Sequence, residues 1–310
     1  MVFTVGIAGI TGKVALLVAK YLLQRPNVNI RGYCRSPDRV PPRLLNDPRF
    51  TLIQGQVDDV AALREFAKGC DVVACCYLAD NDVMVDAQKL LIDICEEQGV
   101  DRYIASDYTL EYAKLQPGQY IKKDPIIRVH DYLKTKKIKA VHVLIGMFVE
   151  TFFSNLFFFW DGKEKKFRYY GTGNETFELT TYATTAEYVA AIALDTEAVG
   201  FLRFLGDTKS SLEVIAEFKS VYGVEPAIER IGSLEDLYAK ANEGGEQDFI
   251  LTGTYLISKG VVNLEKKFDY ERYPDIKPEK VRDFFKRRPL SELAGSLDAV
   301  GQEWWDADEA

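Results

Sequence analysis

Glycines at positions 6, 9 and 12 stand where an apolar run ends and a helical pattern begins, in the order Gly6-Ile-Ala-Gly9-Ile-Thr-Gly12. A strand that turns at once into a helix brings backbone N–H groups and the positive end of the helix to one point, which suits an anion such as a pyrophosphate. Glycine is needed there because the backbone must turn tightly and approach the phosphates closely. Val2–Ile10 reads as the strand and Lys13–Gln24 as the helix, with Val14, Leu17, Val18 and Tyr21 at helical spacing. Lys13 does not make this a P-loop: no glycine precedes Gly12 by five positions, and Val14 holds the Ser/Thr place.

The same alternation continues behind the loop. Val28–Cys34 and Phe50–Gln54 read as strands, then Ala61–Lys68 as a helix and Asp71–Tyr77 as a strand apolar throughout. Val83–Gln98 reads as a long helix, Arg102–Ala105 as a fifth strand, Ile126–Lys137 as a helix and Ala140–Ile145 as a sixth strand. Strands alternating with crossover helices predict an α/β fold, a Rossmann-type doubly wound parallel sheet. After about Phe148 the pattern changes to aromatics, glycine turns such as Gly171-Thr-Gly173, and mixed segments. Residues 1–150 are therefore expected to be the dinucleotide-binding domain. Residues 151–310 are expected to form a smaller substrate-binding region that returns some elements, such as the strand-like Phe201–Leu205, to the first sheet.

The end of the second strand bears on the choice between NAD and NADP. An acidic residue there would bind the ribose 2′-hydroxyl. The chain instead reads Tyr33-Cys34-Arg35-Ser36-Pro37, with Arg39 and Arg43 close behind. A guanidinium can take a 2′-phosphate bidentately, so NADP(H) is the expected cofactor. Gly6, Gly9, Ile10, Thr11 and Gly12 are the candidate loop contacts, with Arg35, Arg39 and Tyr77 from the strand ends. Asp58, in Gly55-Gln-Val-Asp58-Asp59, is a candidate near the adenine, although either acid could simply cap the next helix.

Composition narrows the classes. A net charge of −8 and a pI of about 5.1 argue against a general electrostatic grip on nucleic acid. The lysines at 134, 136, 137 and 139 read as a solvated helix end. Cys34, Cys70, Cys75, Cys76 and Cys95 form no CxxC pair and read as core thiols of a reducing compartment. With only His130 and His142, a zinc site is not expected, and no G-x-S-x-G marks a serine hydrolase. No apolar run reaches membrane-spanning length, and no signal-peptide pattern opens the chain, so a cytoplasmic protein is expected.

Taken together, these pieces resemble the NmrA-like, isoflavone-reductase-like group of atypical short-chain dehydrogenases, over nearly the whole chain. The glycine motif and Arg35 match that group. Tyr103-Ile-Ala-Ser106-Asp107-Tyr108 resembles its segment after the fifth strand, and Thr184 to Leu194 its following helix. Leu202 to Gly223 resembles its strand and Ser-x-x-Glu helix, and Tyr273-Pro-Asp-Ile-Lys277 its C-terminal motif. The resemblance implies NADPH-dependent reduction of an aromatic secondary metabolite. It also admits cofactor-binding regulators without turnover, and enzymes of non-redox cyclisation or rearrangement.

The short-chain dehydrogenase pattern Tyr-x-x-x-Lys occurs only at Tyr132–Lys136, too late in its helix to reach a nicotinamide. The resemblance instead points to a lysine in Tyr120-Ile-Lys122-Lys123, with Lys123 the best match and Lys122 a live substitute. Asp124-Pro125 should cap and open the helix after that lysine, a departure from the group. Lys123 is thus expected to serve both catalysis and cofactor binding. Ser106 and Tyr108 are further catalytic candidates at the end of the fifth strand. Phe148, Phe152 and Phe153 head an aromatic run too dense for one helix face and are expected to line a pocket for an apolar or aromatic substrate. A homodimer is compatible with the sequence.

Overall fold

The computed structural model describes residues 2–79, 81, 83–154, 157–243 and 248–293. Its centre is a seven-stranded sheet. Six strands come from the first half: β1 (Phe3–Ala8), β2 (Val28–Cys34), β3 (Phe50–Gln54), β4 (Val72–Cys75), β5 (Arg102–Ile104) and β6 (Lys139–Leu144). The seventh, Gly200–Arg203, is parallel to β6, and the order runs Gly200–Arg203, β6, β5, β4, β1, β2, β3. All pairings are parallel; central β4 is apolar and buried throughout and β1 from Val5 on, whereas β3 at the edge is partly exposed. Order reverses between β1 and β4, and the crevice beyond their C-terminal ends is where such sheets bind ligands.

Helices cover both faces. β1 shows why: Val5 and Ile7 enter one core cluster with α1 (Lys13–Leu23) and the helix Tyr182–Leu194, while Ala8 enters another. That second cluster contains residues of the helices Val60–Ala67, Gln88–Glu97 and Asp124–Leu133. Successive side chains of a strand point to opposite faces, so one strand feeds both cores. Arg102, 1% exposed, donates to the carbonyls of Ile192 at 2.9 Å and Ala193 at 2.6 Å, tying β5 to the end of the Tyr182–Leu194 helix.

Several boundaries shift from the sequence reading. β1 stops at Ala8 because Gly9 takes φ +79° and turns the chain. The helix expected at Val83–Gln98 opens with a π-helical turn, Val83–Ala87, before its α-helical part. The helix before β6 runs Asp124–Leu133: Pro125 fits its first turn, and its buried stripe ends at Leu133, leaving Lys134, Lys136 and Lys137 beyond the helix and Lys139 at the start of β6. In the second half, small three-stranded sheets and short helices surround a third, aromatic core.

Candidate functional site

At the tip of β1 the loop is held by its own backbone. Gly9 and Ile10 both donate N–H to the Tyr33 carbonyl, at 2.9 and 3.1 Å, and Gly12 donates to the Gly9 carbonyl at 2.9 Å. Cys76 donates to the Ala8 carbonyl at 2.8 Å, so β4 closes over the turn. A Cβ on Gly9 would stand 2.9 Å from the Cys76 carbonyl oxygen, which with the positive φ admits only glycine. Gly12 caps α1 without a side-chain hydrogen bond, and no acidic residue lies in the first turn. The positive end of this eleven-residue helix therefore carries no anion from its own first turn. Gly6 lies inside β1 instead, where a Cβ would meet Val73, Cys70 and Phe66. Its role in the fold is close packing of strand on helix. Ile10 buries its side chain fully, so only its backbone borders the loop; Thr11 is half-buried.

Arg35 emerges exposed at the end of β2. Its carbonyl accepts from Gln54 Nε2 at 3.3 Å, and its guanidinium has no acceptor among the described residues. Arg39 is exposed on the single turn Pro37–Arg39. Of the two adjacent acids, Asp59 is the helix cap, accepting from the Ala62 N–H at 3.0 Å, while Asp58 is exposed and makes no hydrogen bond among the described residues. Tyr77 is buried against the Gln88–Glu97 side of the sheet, its hydroxyl without a hydrogen-bond partner among the described residues. Burial holds that phenol well above its usual pKa.

Beyond β5 the chain doubles alongside β4 and β6. Ser106 Oγ donates to the Tyr77 carbonyl at 2.7 Å, and the Tyr108 hydroxyl donates to the Cys75 carbonyl at 3.0 Å. Tyr108 takes φ +37°, a strained value for a residue with a side chain. Both hydroxyl protons are thus spent on the end of β4. Lys123, at the start of the Asp124–Leu133 helix, reaches into this segment, and its Nζ donates to Thr109 Oγ1 at 2.6 Å. Burial pushes the ammonium down to about 8; Asp107 acts against that shift and Lys122 with it. Lys122 points elsewhere, with its Nζ over the exposed-side ring of Phe249 at 4.5 Å. Asp124, expected as a cap, accepts from the Gly118 N–H instead, and Lys123 is the cap position.

Asp107 was not singled out by the sequence reading. It is buried, and its Oδ2 accepts from His142 Nδ1 at 2.6 Å and from the Tyr112 hydroxyl at 3.0 Å. The His130 ring lies edge-on to His142, centroids 4.8 Å apart. The only hint in the sequence was an acid directly after Ser106, because His130, His142 and Tyr112 converge only in three dimensions.

The aromatic run needs correcting. Phe152 and Phe153 are 1% exposed and packed among rings: Phe152 stacks on Phe159 at 4.5 Å, and Phe153 contacts Phe284 and Phe285. They are core residues rather than pocket walls, because the aromatics of the second half had to find one another to bury that region. Phe148 is half-buried against Tyr182, centroids 4.4 Å apart. Tyr132 and Lys136 both bind Asp93, on the outside of the sheet's helical layer. Among the described residues no cluster could hold a metal ion and no helix is long and apolar enough to cross a membrane.

Residues 9–195 match the NAD(P)H-binding family profile. No curated protein matches the chain by sequence. Solved structures with the same fold include AtPrR2 with NADP+ and (+)-pinoresinol, 19% identical, covering 92% of this chain and 98% of that one at a TM-score of 0.76. An isoflavone reductase is 17% identical, covering 93% and 99% at a TM-score of 0.75. The leucoanthocyanidin reductase of Vitis vinifera with NADPH is 17% identical, covering 91% and 98% at 0.74. A glycine cradle that a Cβ would fill, an uncapped helix N-terminus and a parallel sheet with its switch point beside them agree with that match: the chain belongs to the NAD(P)H-binding family, with the fold that these reductases share.

Proposed function

We propose that the protein is an NADPH-dependent reductase of an apolar or aromatic small molecule, with Lys123 as the proton donor. The observation that carries this reading is the Lys123 ammonium, turned inward to Thr109 beyond the C-terminal end of β5, where Thr109 bridges to the end of β6. The bound cofactor supplies a hydride. Gly9, Gly12 and the start of α1 would hold its pyrophosphate, and Arg35, with Arg39 nearby, a 2′-phosphate. Lys123 would donate a proton to the substrate oxygen or nitrogen where negative charge develops, and its charge would stabilise that site before transfer. Ser106 and Tyr108, tied to carbonyls, position the β4 and β5 ends rather than move protons. Residues 1–150 form the cofactor-binding part of this proposal, and the second half covers the substrate.

The similarity to AtPrR2 solved with (+)-pinoresinol, and to isoflavone and leucoanthocyanidin reductases, makes those three compound types sensible first probes. Consumption of NADPH should be followed by absorbance with each. Turnover that Lys123→Ala reduces supports the reading. Tight NADPH binding with no turnover across a wide aromatic panel would replace it with a cofactor-sensing regulator, and product formation without NADPH consumption with a cyclase or rearrangement enzyme.

A further inference from the structure

The turn that carries Lys123 is closed by its own backbone: the Lys123 N–H donates to the Tyr120 carbonyl at 2.8 Å, so the place of Tyr120 sets the place of Lys123. Tyr120 is buried, and its ring stands against Gly253 in the helix Phe249–Ser258. A Cβ at Gly253 would meet the Tyr120 hydroxyl and stand 2.8 Å from the ring carbon that bears it, too close for real side chains. Gly253 lies inside a helix and has no positive φ, a place where alanine is the better helix former. The close approach of the tyrosine ring is therefore what requires glycine there.

A second contact joins the same turn to the same helix. Phe249 lies one helical turn before Gly253, on the same face, and Lys122 Nζ sits over its ring at 4.5 Å. Two residues of the turn thus rest on one helix face. Lys123 reaches instead to Thr109 Oγ1 at 2.6 Å, with its Nζ 6.0 Å from the centre of the Tyr120 ring.

Resting on the reading of Lys123 as proton donor, we propose that Tyr120 and Gly253 are positioning residues: the helix Phe249–Ser258 of the second half seats the Tyr120 ring, and that seat holds the Lys123 ammonium on Thr109. The Tyr120–Gly253 contact carries the seating because it is buried; Lys122 is exposed, and a cation over a ring at the surface contributes little. The charges around Lys123 are compatible with this. Burial pushes the Tyr120 phenol up to about 12, so the ring beside the ammonium is uncharged at pH 7. Burial is also the main cause that lowers Lys123 to about 8, with Asp107 against the shift and Lys122 with it. Asp248 is spent on capping the seating helix, accepting from the N–H groups of Ile250 and Leu251 at 2.9 and 3.0 Å.

The test is direct titration of Lys123 in the cofactor-free protein, using carbon-13-labelled lysine and NMR, with Lys123→Ala identifying the resonance. Gly253→Ala displaces the Tyr120 ring and the turn with it, and lets water reach the ammonium. The Lys123 titration should then move up by about one pH unit or more. The alkaline limb of the kcat/KM profile should move up with it, a change that a purely structural role would not produce. At pH 7 kcat should fall by about tenfold while NADPH affinity stays within about twofold. Adding Tyr120→Phe to Gly253→Ala removes the atom nearest the new methyl, so the double variant should titrate closer to the unmodified protein. Tyr120→Leu removes the ring from its seat, should move the titration in the same upward direction, and carries the test if Gly253→Ala does not fold. A Lys123 titration unmoved in the folded variants overturns the inference. The donor role fails separately, through undiminished turnover in Lys123→Ala, whatever the titration shows.

Discussion

Arg35 and Lys123 would carry the chemistry of the proposed reductase, and each is exposed to a separate measurement. Arg35 stands at the end of β2, its guanidinium without an acceptor among the described residues. Arg35→Ala should weaken NADPH by about 1.5–3 kcal/mol, roughly ten- to a hundredfold, and leave NADH nearly unchanged. Calorimetric titration with both cofactors checks this, and equal affinity of the unmodified protein for the two would remove the argument. Lys123→Ala should cut turnover by ~10²-fold or more while NADPH binding remains measurable. Lys122→Ala should be close to neutral, since its ammonium lies over Phe249 and away from Thr109. Because the Lys123 ammonium is held near 8 and is needed protonated, kcat/KM should fall as pH rises through about 8. A profile flat from pH 6 to 10 would argue for another donor.

At the scale of elements, the β1–α1 turn and the cap of the next helix make contrasting predictions. Gly9→Ala forces a side chain into φ +79° and onto the Cys76 carbonyl, so it should abolish cofactor binding and lower Tm together. Asp59→Ala removes a cap from Val60–Ala67 and should cost about 1 kcal/mol, measured by denaturant unfolding. Asp58→Ala should leave stability alone and affect only ligand affinity, because Asp58 caps nothing. If the two aspartates behaved alike, the assignment of cap and free acid would be wrong.

For the whole molecule, the aromatic core and a buried carboxyl set stability. Phe153→Ala should cost about 3–5 kcal/mol, because it empties a site surrounded by Trp160, Phe167, Phe284 and Phe285. It should do so without changing cofactor affinity, which separates a core residue from a substrate contact. Glu150 is buried beneath the start of the Tyr182–Leu194 helix and accepts from the Tyr182 N–H at 3.0 Å. Burial raises its carboxyl from 4.5 to about 7, against its hydrogen bonds and Arg287 and Arg288. The folded state therefore holds a proton that the unfolded chain has released, and this contribution to stability is lost as pH rises from about 4.5 through about 7. Glu150→Gln should flatten that part of the Tm–pH curve; an unchanged slope would assign it to other groups.

Local patterns in the sequence were enough for the sheet and the loop. Continuous apolar runs separated by helical periodicity gave six parallel strands, and three glycines at a strand–helix junction marked the cradle, because both signals depend only on neighbours along the chain. Arg35 was legible for the same reason: it follows β2 directly. Tertiary structure alone decided the rest. Which of Lys122 and Lys123 turns inward depended on where the helix begins, and Pro125 set that by fitting its first turn. Gly6 looked like a loop glycine until β1 ran through it to Ala8 and Phe66 closed over it. Phe152 and Phe153 looked like pocket walls until Phe284 and Phe285, more than a hundred residues later, arrived to cover Phe153. Asp107, His142 and Tyr112 form one network from three segments, and no periodicity in a single chain can encode a contact between side chains that meet only after the sheet has closed.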